Sequence, residues 1–322
     1  MKIIQRKKTK IVPVGDVQLG GENRIAIQSM VIAPPHMVSQ AQGQIASLTE
    51  AGCDIVRIAV PTLEDASFLA QLKKTTKIPI VADIHFDPYI ALAAIKQGVD
   101  KIRLNPSNIR DPDMIKKVVL AAKESKIPIR IGANSGSLRR HLNVEDAVQQ
   151  LLVAIQGEIE ILSTYDFTGI VLSAKSSSIE INEQINRKLS DLYDFPLHLG
   201  ITEAGPLVNG IVKSTLGLTP LLMDGIGDTI RISLSGELDT EIVAARALLL
   251  ELGLLHGVRL ISCPTCGRVR WNVAEVADQI RQQTVCFNRN ITVAIMGCEV
   301  NGPGEARDAD IGLAGSGNYI VL

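Results

Sequence analysis

One rhythm governs most of this 322-residue chain: a short run rich in Ile and Val ends in a polar residue, and an amphipathic stretch follows. The runs fall at Ile25–Met30, Asp54–Val60, Ile78–His85, Lys101–Pro106, Ile127–Asn134, Gly169–Lys175, Pro196–Thr202 and Thr229–Ser235. Helical patterns fill the gaps. Over Asn143–Ile161, for example, Val144, Ala147, Val148, Leu151, Leu152 and Ile155 recur at helical spacing. The runs are apolar on both faces, as strands of a parallel sheet must be when helices cover the outside. Eight such units predict an α/β fold of the TIM-type (β/α)8 class over residues 1–252. An open doubly wound sheet is the alternative, but no G-x-G-x-x-G follows the first strand.

After the last helical pattern, Thr240–Leu252, the stretch Gly253-Leu254-Leu255-His256-Gly257 reads as a linker. A small α+β domain is predicted over residues 258–322. Its strands are Val258–Ser262, Ile291–Met296, Ala309–Ala314 and Tyr319–Leu322, and its helix is Asn272–Gln283.

Polar residues recur at matching places in the barrel. Arg57 lies in the second strand, Asp83 and His85 end the third, Arg103 and Asn105 the fourth, and Arg130 and Asn134 the fifth. Lys175 ends the sixth, His198 and Glu203 flank the end of the seventh, and Arg231 and Ser233 lie in the eighth. In this fold the C-terminal strand ends form the active-site face. Singly, each residue reads equally well as a functional group or as a solvated strand end or structural ion-pair partner. Jointly, five cations converging on one mouth repel one another and require an anion. Guanidinium forks match phosphate oxygens, so a phosphorylated ligand is expected. Asp83 and Glu203 are the two residues expected to offset the charge internally.

Cys263-Pro264-Thr265-Cys266 is answered by Cys298, and Glu305 follows in a Gly-rich stretch. Three thiols brought together suit a soft metal or an iron–sulfur cluster, with a carboxylate as a possible fourth ligand. A structural zinc site normally shows a second knuckle, which is missing here. Zinc and uncomplexed thiols stay open on spacing alone. Cys53 and Cys286 sit in apolar surroundings and are expected to be ordinary buried cysteines. Five cysteines in a chain this long fit a reducing compartment.

The chain is 46% hydrophobic, with net charge −1 and 3% aromatic residues. It has no basic bias toward nucleic acid or anionic membrane, and few stacking platforms. The basic N-terminus lacks the apolar region of a signal peptide, and no run of about 18 uncharged apolar residues occurs. A cytoplasmic location is expected, with neither nucleic acid nor membrane as a partner.

These features together resemble the 4-hydroxy-3-methylbut-2-enyl diphosphate synthase family of non-mevalonate isoprene biosynthesis. The marks are Ala82-Asp83-Ile84-His85-Phe86-Asp87, Lys101-Ile102-Arg103-Leu104-Asn105-Pro106, His198-Leu199-Gly200-Ile201-Thr202-Glu203-Ala204-Gly205, Gly227-Asp228-Thr229-Ile230-Arg231, Ser262-Cys263-Pro264-Thr265-Cys266-Gly267-Arg268 and Asn301-Gly302-Pro303-Gly304-Glu305. They stand in the family's order from Lys8 to about Leu313.

The resemblance implies an oxidoreductase that reductively opens 2-C-methyl-D-erythritol 2,4-cyclodiphosphate. A [4Fe-4S] cluster would be held by Cys263, Cys266, Cys298 and Glu305, in a domain of the ferredoxin/sulfite-reductase kind. Arg57, Arg103, Arg130, Lys175, Arg231 and Ser233 would clamp the diphosphate. Asp83, His85, Asn105, Asn134 and His198 would line the pocket, with Glu203 as candidate proton donor. Flavodoxin or ferredoxin would supply electrons to a homodimer in which one subunit's barrel faces the partner's cluster domain. The rival reading is a barrel enzyme on another phosphorylated substrate with a structural zinc knuckle domain.

Three departures from the family stand out. Its Thr-rich stretch after Gln-Ser-Met is Val31-Ile32-Ala33-Pro34-Pro35-His36-Met37 here. Glu299 replaces a usually apolar residue beside Cys298. Relatives also usually continue past the position of Leu322, so a piece that packs on the cluster domain is expected to be missing.

Overall fold

The computed structural model describes residues 4–134, 136, 143–264, 266–300, 302–316 and 319–322. Its contacts divide the chain into two units, Lys2–Ala245 and Arg246–Leu322.

The first unit opens with an antiparallel hairpin, β1 (Val12–Val14) and β2 (Val17–Leu19). Eight parallel strands follow: β3 (Ala26–Val31), β4 (Ile55–Ala59), β5 (Ile80–Asp83), β6 (Lys101–Arg103), β7 (Ile129–Asn134), β8 (Ile170–Lys175), β9 (His198–Leu199) and β10 (Thr229–Ile230). Their order around the sheet is β8-β7-β6-β5-β4-β3-β10-β9. A parallel bridge between Leu172 and Leu197 joins the two ends and closes the barrel. One helix follows each strand: α1 (Val38–Glu50), α2 (Leu63–Thr75), α3 (Pro88–Lys96), α4 (Pro112–Glu124), α5 (Val144–Ser163), α6 (Ile179–Leu192), α7 (Leu207–Met223) and α8 (Leu238–Glu251).

Helices α2 to α6 begin where polar residues cap them. The Thr62 hydroxyl accepts from the Asp65 amide at 3.1 Å, and the Asn143 side chain accepts from the Asp146 amide at 2.8 Å. Asp87 and Asp111 cap α3 and α4 just ahead of Pro88 and Pro112, whose missing N–H costs nothing at that position.

The hairpin seals the N-terminal end of the barrel. Val12, Val14 and Leu19 pack on Ala26, Ile55, Val81 and Val171, which face inward near the strand starts. Val14 and Leu19 are 0% exposed, and burying each contributes about 1.5–3 kcal/mol. The Gly15-Asp16 turn places Gly15 at φ +55°, where a side chain would meet Asp100 and Pro79. The sequence pattern above did not resolve this hairpin.

Asp228, 1% exposed, ties the segment before the hairpin to the barrel. It accepts from the Leu197 amide at 2.8 Å, the Thr9 hydroxyl at 3.1 Å and Arg6 Nη2 at 2.6 Å.

Seven of the eight barrel strands are shorter than their apolar runs, two of them much shorter. β9 keeps only His198 and Leu199 of Pro196–Thr202, and β10 only Thr229 and Ile230 of Thr229–Ser235. Beyond them the backbone leaves the ladder and carries the site.

The second unit is a mixed sheet of order β11-β12-β13-β14. β11 (Val258–Ser262), β12 (Ile291–Met296) and β13 (Ile311–Ser316) run parallel, and β14 (Tyr319–Val321) is antiparallel to β13. Helix α9 (Val273–Gln283) lays Val273, Val276, Ala277 and Ile280 on Val293 and Ile295. A one-turn helix, α10 (Gly302–Glu305), follows β12. No helix among the described residues is long and apolar enough to cross a membrane.

Asp228→Ala strands a buried amide and the Arg6 guanidinium. We expect it to lower stability by about 3–5 kcal/mol, read as a shifted midpoint in urea unfolding.

Candidate active site

A cavity of about 140 Å³ opens at the C-terminal ends of the barrel strands. Alternation along each strand directs the side chains inward. Arg57 comes from β4, Asp83 from the end of β5, Arg103 from the end of β6, Arg130 from β7 and Lys175 from the end of β8. Arg231 and Ser233 enter from the segment after β10, and His85 and Asn134 complete the wall. These nine predicted residues therefore share one cavity.

Asp83 is 4% exposed at its centre. Its carboxylate lies 3.6 Å from Arg57 Nη2, 3.7 Å from Arg103 Nε and 3.7 Å from His85 Nε2. Arg103 Nη1 and His85 Nδ1 are 2.9 Å apart. The second charge offset comes from a residue that strand-end reasoning missed. Glu241, in α8 and 3% exposed, accepts from the Ser29 hydroxyl at 2.8 Å and the Leu234 amide at 3.0 Å. Its carboxylate lies 3.8 Å from Arg231 Nε. Its only sequence signal is a first-turn acid on the helix after the last strand.

Cations still outnumber carboxylates, so mutual repulsion adds to burial in lowering their pKa values. Burial lowers Arg57 to about 10, with Arg231 and Arg103 pushing the same way and Asp83 opposing. Burial, then Arg57 and Arg103, lowers Arg130 well below the usual arginine range. Burial, then Arg130 and Arg231, does the same to Lys175. A bound anion would relieve all three.

Two glycines make room for this crowding. A Cβ at Gly200 would sit 2.6 Å from Lys175 Nζ and 2.7 Å from the Arg231 carbonyl. One at Gly132 would sit 2.3 Å from the Ser173 carbonyl.

Three predicted residues lie outside this cavity. His198 is 0% exposed inside the barrel and does not line it. Asn105 and Glu203 line an adjoining opening of about 720 Å³ that shares His85, Arg103, Gly132, Asn134 and Thr202 with the first. Asn105 clamps β7: its amide donates to the Gly132 carbonyl at 2.8 Å and accepts from the Gly132 amide at 3.2 Å. Glu203 is exposed and held at φ +52°, a conformation uncommon for a non-glycine residue. It therefore does not supply the internal charge offset expected of it; Glu241 does.

In the second unit, Cys263 follows β11 and Cys298 follows β12. These strands are parallel neighbours, with Ser262 opposite Ile295, so both thiols leave the same sheet edge. The Cys263 sulfur accepts from the Gly297 amide at 3.1 Å. A Cβ at Gly297 would lie 3.4 Å from that sulfur. Cys266 is exposed on the same loop, and its carbonyl accepts from the Val269 amide at 3.1 Å. No disulfide consumes these thiols. Thiols on one edge, with a backbone donor at sulfur, suit a soft metal or a cluster.

No three His, Cys, Asp or Glu side chains among the described residues are already gathered as a metal site. The backbone of Glu305 ends α10, but its side chain lies outside the described residues, as does Thr265. Glu299 lies 3.5 Å from Arg270, which gives the unusual carboxylate beside Cys298 a partner. Cys53 is buried, which pushes its thiol up to about 12. Cys286, expected to be buried, is exposed. It lies in the loop between the C-terminus of α9 and β12.

A TIM-type barrel with a cationic mouth, joined in sequence to a domain with two thiols at one sheet edge and a third on the adjoining loop, defines a narrow class. Residues 9–246 match the GcpE TIM-barrel domain, and residues 259–322 match the GcpE protein C-terminal domain. The chain belongs to the GcpE family. It is 45% identical to 4-hydroxy-3-methylbut-2-en-1-yl diphosphate synthase (flavodoxin) of Ruminiclostridium cellulolyticum, over 99% of this chain and 92% of that one. It is 44% identical to the enzyme of the same name from Exiguobacterium sibiricum, over 100% and 88%. Among solved structures, Yersinia pestis dihydropteroate synthase shares the barrel fold, with a TM-score of 0.56 at 13% identity, covering 76% of this chain and 99% of that one.

Gly200→Ala should displace Lys175 and weaken oxyanion binding about tenfold or more, since one lost charge-assisted contact is worth about 1.5–3 kcal/mol. Calorimetric titration with inorganic pyrophosphate checks it.

Proposed function

We propose that the chain converts 2-C-methyl-D-erythritol 2,4-cyclodiphosphate to 4-hydroxy-3-methylbut-2-enyl diphosphate. Written for the neutral acids, two electrons and two protons are consumed. The ring C–O bond breaks, and one hydroxyl leaves as water. The observation that carries the reading is the single cavity that Arg57, Arg103, Arg130, Lys175 and Arg231 line together with Asp83. Its wall of guanidinium groups suits phosphate oxygens, and near-complete burial strengthens each contact. The relatives' shared name supports the substrate and flavodoxin as electron donor.

Within this reading the five cations, with Ser233, hold the diphosphate. Asp83 keeps Arg57, Arg103 and His85 aligned. Asn105 acts through β7, holding the backbone beside Asn134. Glu203, at the wider opening, is the candidate proton donor to the departing hydroxyl. His198 acts from below the cavity rather than on the substrate.

Cys263, Cys266 and Cys298 would hold a [4Fe-4S] cluster, with Glu305 as the carboxylate ligand. When bound, the cluster supplies single electrons and a Lewis-acidic iron. The harder carboxylate oxygen would bind the soft iron less firmly than the three thiolates. The family likeness further supports a cytoplasmic homodimer in which one subunit's barrel meets the partner's cluster domain.

The test is anaerobic turnover of the cyclodiphosphate with reduced flavodoxin, together with iron and sulfide analysis. Four irons per chain and diphosphate product are expected; zinc without turnover would overturn the assignment and favour a structural knuckle. Cys298→Ser should lose most bound iron, and full retention would remove it from the ligand set. Arg103→Ala should raise KM for the cyclodiphosphate about tenfold or more, through loss of about 1.5–3 kcal/mol of charge-assisted bonding.

A further inference from the structure

Beneath the cavity lies a layer of polar side chains that touches neither solvent nor the cavity. Lys101 opens β6, His198 opens β9, Thr229 opens β10, and Gln28 lies in β3. All four are 0–1% exposed. Lys101 shares the inward face of β6 with Arg103 and stands in register with Val81, which packs on the hairpin seal. His198 is in register with Thr229, and Thr229 with Ala26, another residue of that seal. The layer therefore sits between an apolar floor and the ring of cations.

Its polar atoms are orphaned. Lys101 Nζ, both ring nitrogens of His198, both amide atoms of Gln28 and Thr229 Oγ1 have no hydrogen-bond partner among the described residues. Leaving one such group unsatisfied costs about 1–3 kcal/mol, so a fold that gathers several supplies them with internal water or an ion.

We propose that this layer is a proton store for the anion site above it. Lys101, joined to the cavity floor by water held among Gln28, His198 and Thr229, takes up a solvent proton as an oxyanion settles on the arginines. It returns the proton when the anion leaves. The inference rests on reading the cavity as an anion site. Lys101 is a positioning residue here, acting through charge and not on the reacting atoms.

The surrounding charges decide the direction. Arg57 of β4, Arg103 of β6, Arg130 of β7, Lys175 of β8 and Arg231 after β10 are positive, whereas Asp83 of β5 and Glu241 of α8 are negative. His198 of β9 is held neutral by burial first, then by Lys175, Arg130 and Lys101. In the empty site, burial, then Arg130 and Arg57, lowers Lys101 to about 7. An anion carrying two or more negative charges offsets most of that positive field and raises Lys101 again. Lys175 is lowered as well and touches the anion directly, so a variant must separate the two lysines.

The same shift bears on stability. Lys101 titrates in the folded chain at about 7, below its ordinary 10.5. The unfolded chain therefore binds the extra proton between those values. Lys101 opposes folding through neutrality, and stability recovers as pH rises across that window.

The test uses the full chain and inorganic sulfate, a tetrahedral oxyanion that does not itself titrate near neutrality. Calorimetry at about pH 8, in buffers of differing ionisation enthalpy, counts the protons exchanged on binding. The wild type should take up protons, and Lys101→Met should take up about one fewer. The variant should also melt higher at pH 7 and lose the rise in melting temperature that the wild type shows toward pH 9. A merely structural lysine would change the melting temperature without changing the proton count. Equal uptake by both proteins, or no uptake by the wild type, overturns the proton store and leaves the anion site standing. Failure of the wild type to bind either sulfate or inorganic pyrophosphate overturns the anion site itself. Should Lys101→Met fail to fold, Lys101→Gln replaces it, and the wild-type proton count alone still decides against the proposal if it is zero.

Discussion

Mutual repulsion among buried cations is the constraint around which the barrel is arranged. Two like charges about 6 Å apart interact by roughly 3 kcal/mol at an effective dielectric constant near 20. Here five converge, held against one another by Asp83 and Glu241. Such a site cannot form on a pliable surface, because side chains free to move would turn away into water. It needs strands whose inward directions are fixed, and a closed parallel barrel provides them. Gly132 and Gly200 mark where the crowding reaches the backbone, since a single methyl at either would collide with the wall.

Stability must therefore come from elsewhere in the same unit. The floor of the barrel is apolar and sealed by the hairpin, with Val14 and Leu19 fully buried. Asp228 fastens the preceding segment by bonding Arg6, Thr9 and the Leu197 amide together. From floor to mouth, the interior passes from hydrocarbon to orphaned polar groups to guanidinium ions. That gradient separates the stabilising end of the barrel from the end that binds, a division typical of this fold.

Much of this was legible in the sequence because parallel strands covered on both faces leave continuous apolar runs. All eight barrel strands fall within their runs or within one residue of them, and β11 and β12 match theirs at both ends. The cationic set was readable because each member lies within or ends such a run. What escaped depended on tertiary contact. His198 looks like a strand-end ligand, but its strand is only two residues long and directs it into the core. Glu203 looks like an internal counter-charge, yet its left-handed backbone leaves it exposed, and Glu241 of α8 takes that part. Lys101 is hardest to foresee, since a lysine at a strand start is ordinarily solvated. Cys286 misled because apolar neighbours in sequence do not bury a loop. The hairpin had a signal in Val12-Pro13-Val14-Gly15-Asp16-Val17-Gln18-Leu19, a two-residue turn between alternating apolar positions, but β-branched residues this near a terminus compete with many other readings.

Both units follow one geometric rule despite their different sizes. In a parallel sheet every strand ends at the same edge, so the loops leaving that edge bring together residues distant in sequence. In the barrel this edge assembles Arg57, Asp83, Arg103, Arg130 and Lys175 from five strands. In the smaller sheet it assembles Cys263 and Cys298 from two neighbouring strands, with the Gly297 amide already bonded to the Cys263 sulfur. The loops can then vary while the strand ends that fix the chemistry stay in register. A substitution that slips β11 against β12 by one residue would turn Cys263 to the opposite face of the sheet. Iron retention should therefore be at least as sensitive to the packing of Val293 and Ile295 under α9 as to any residue on the cysteine loop.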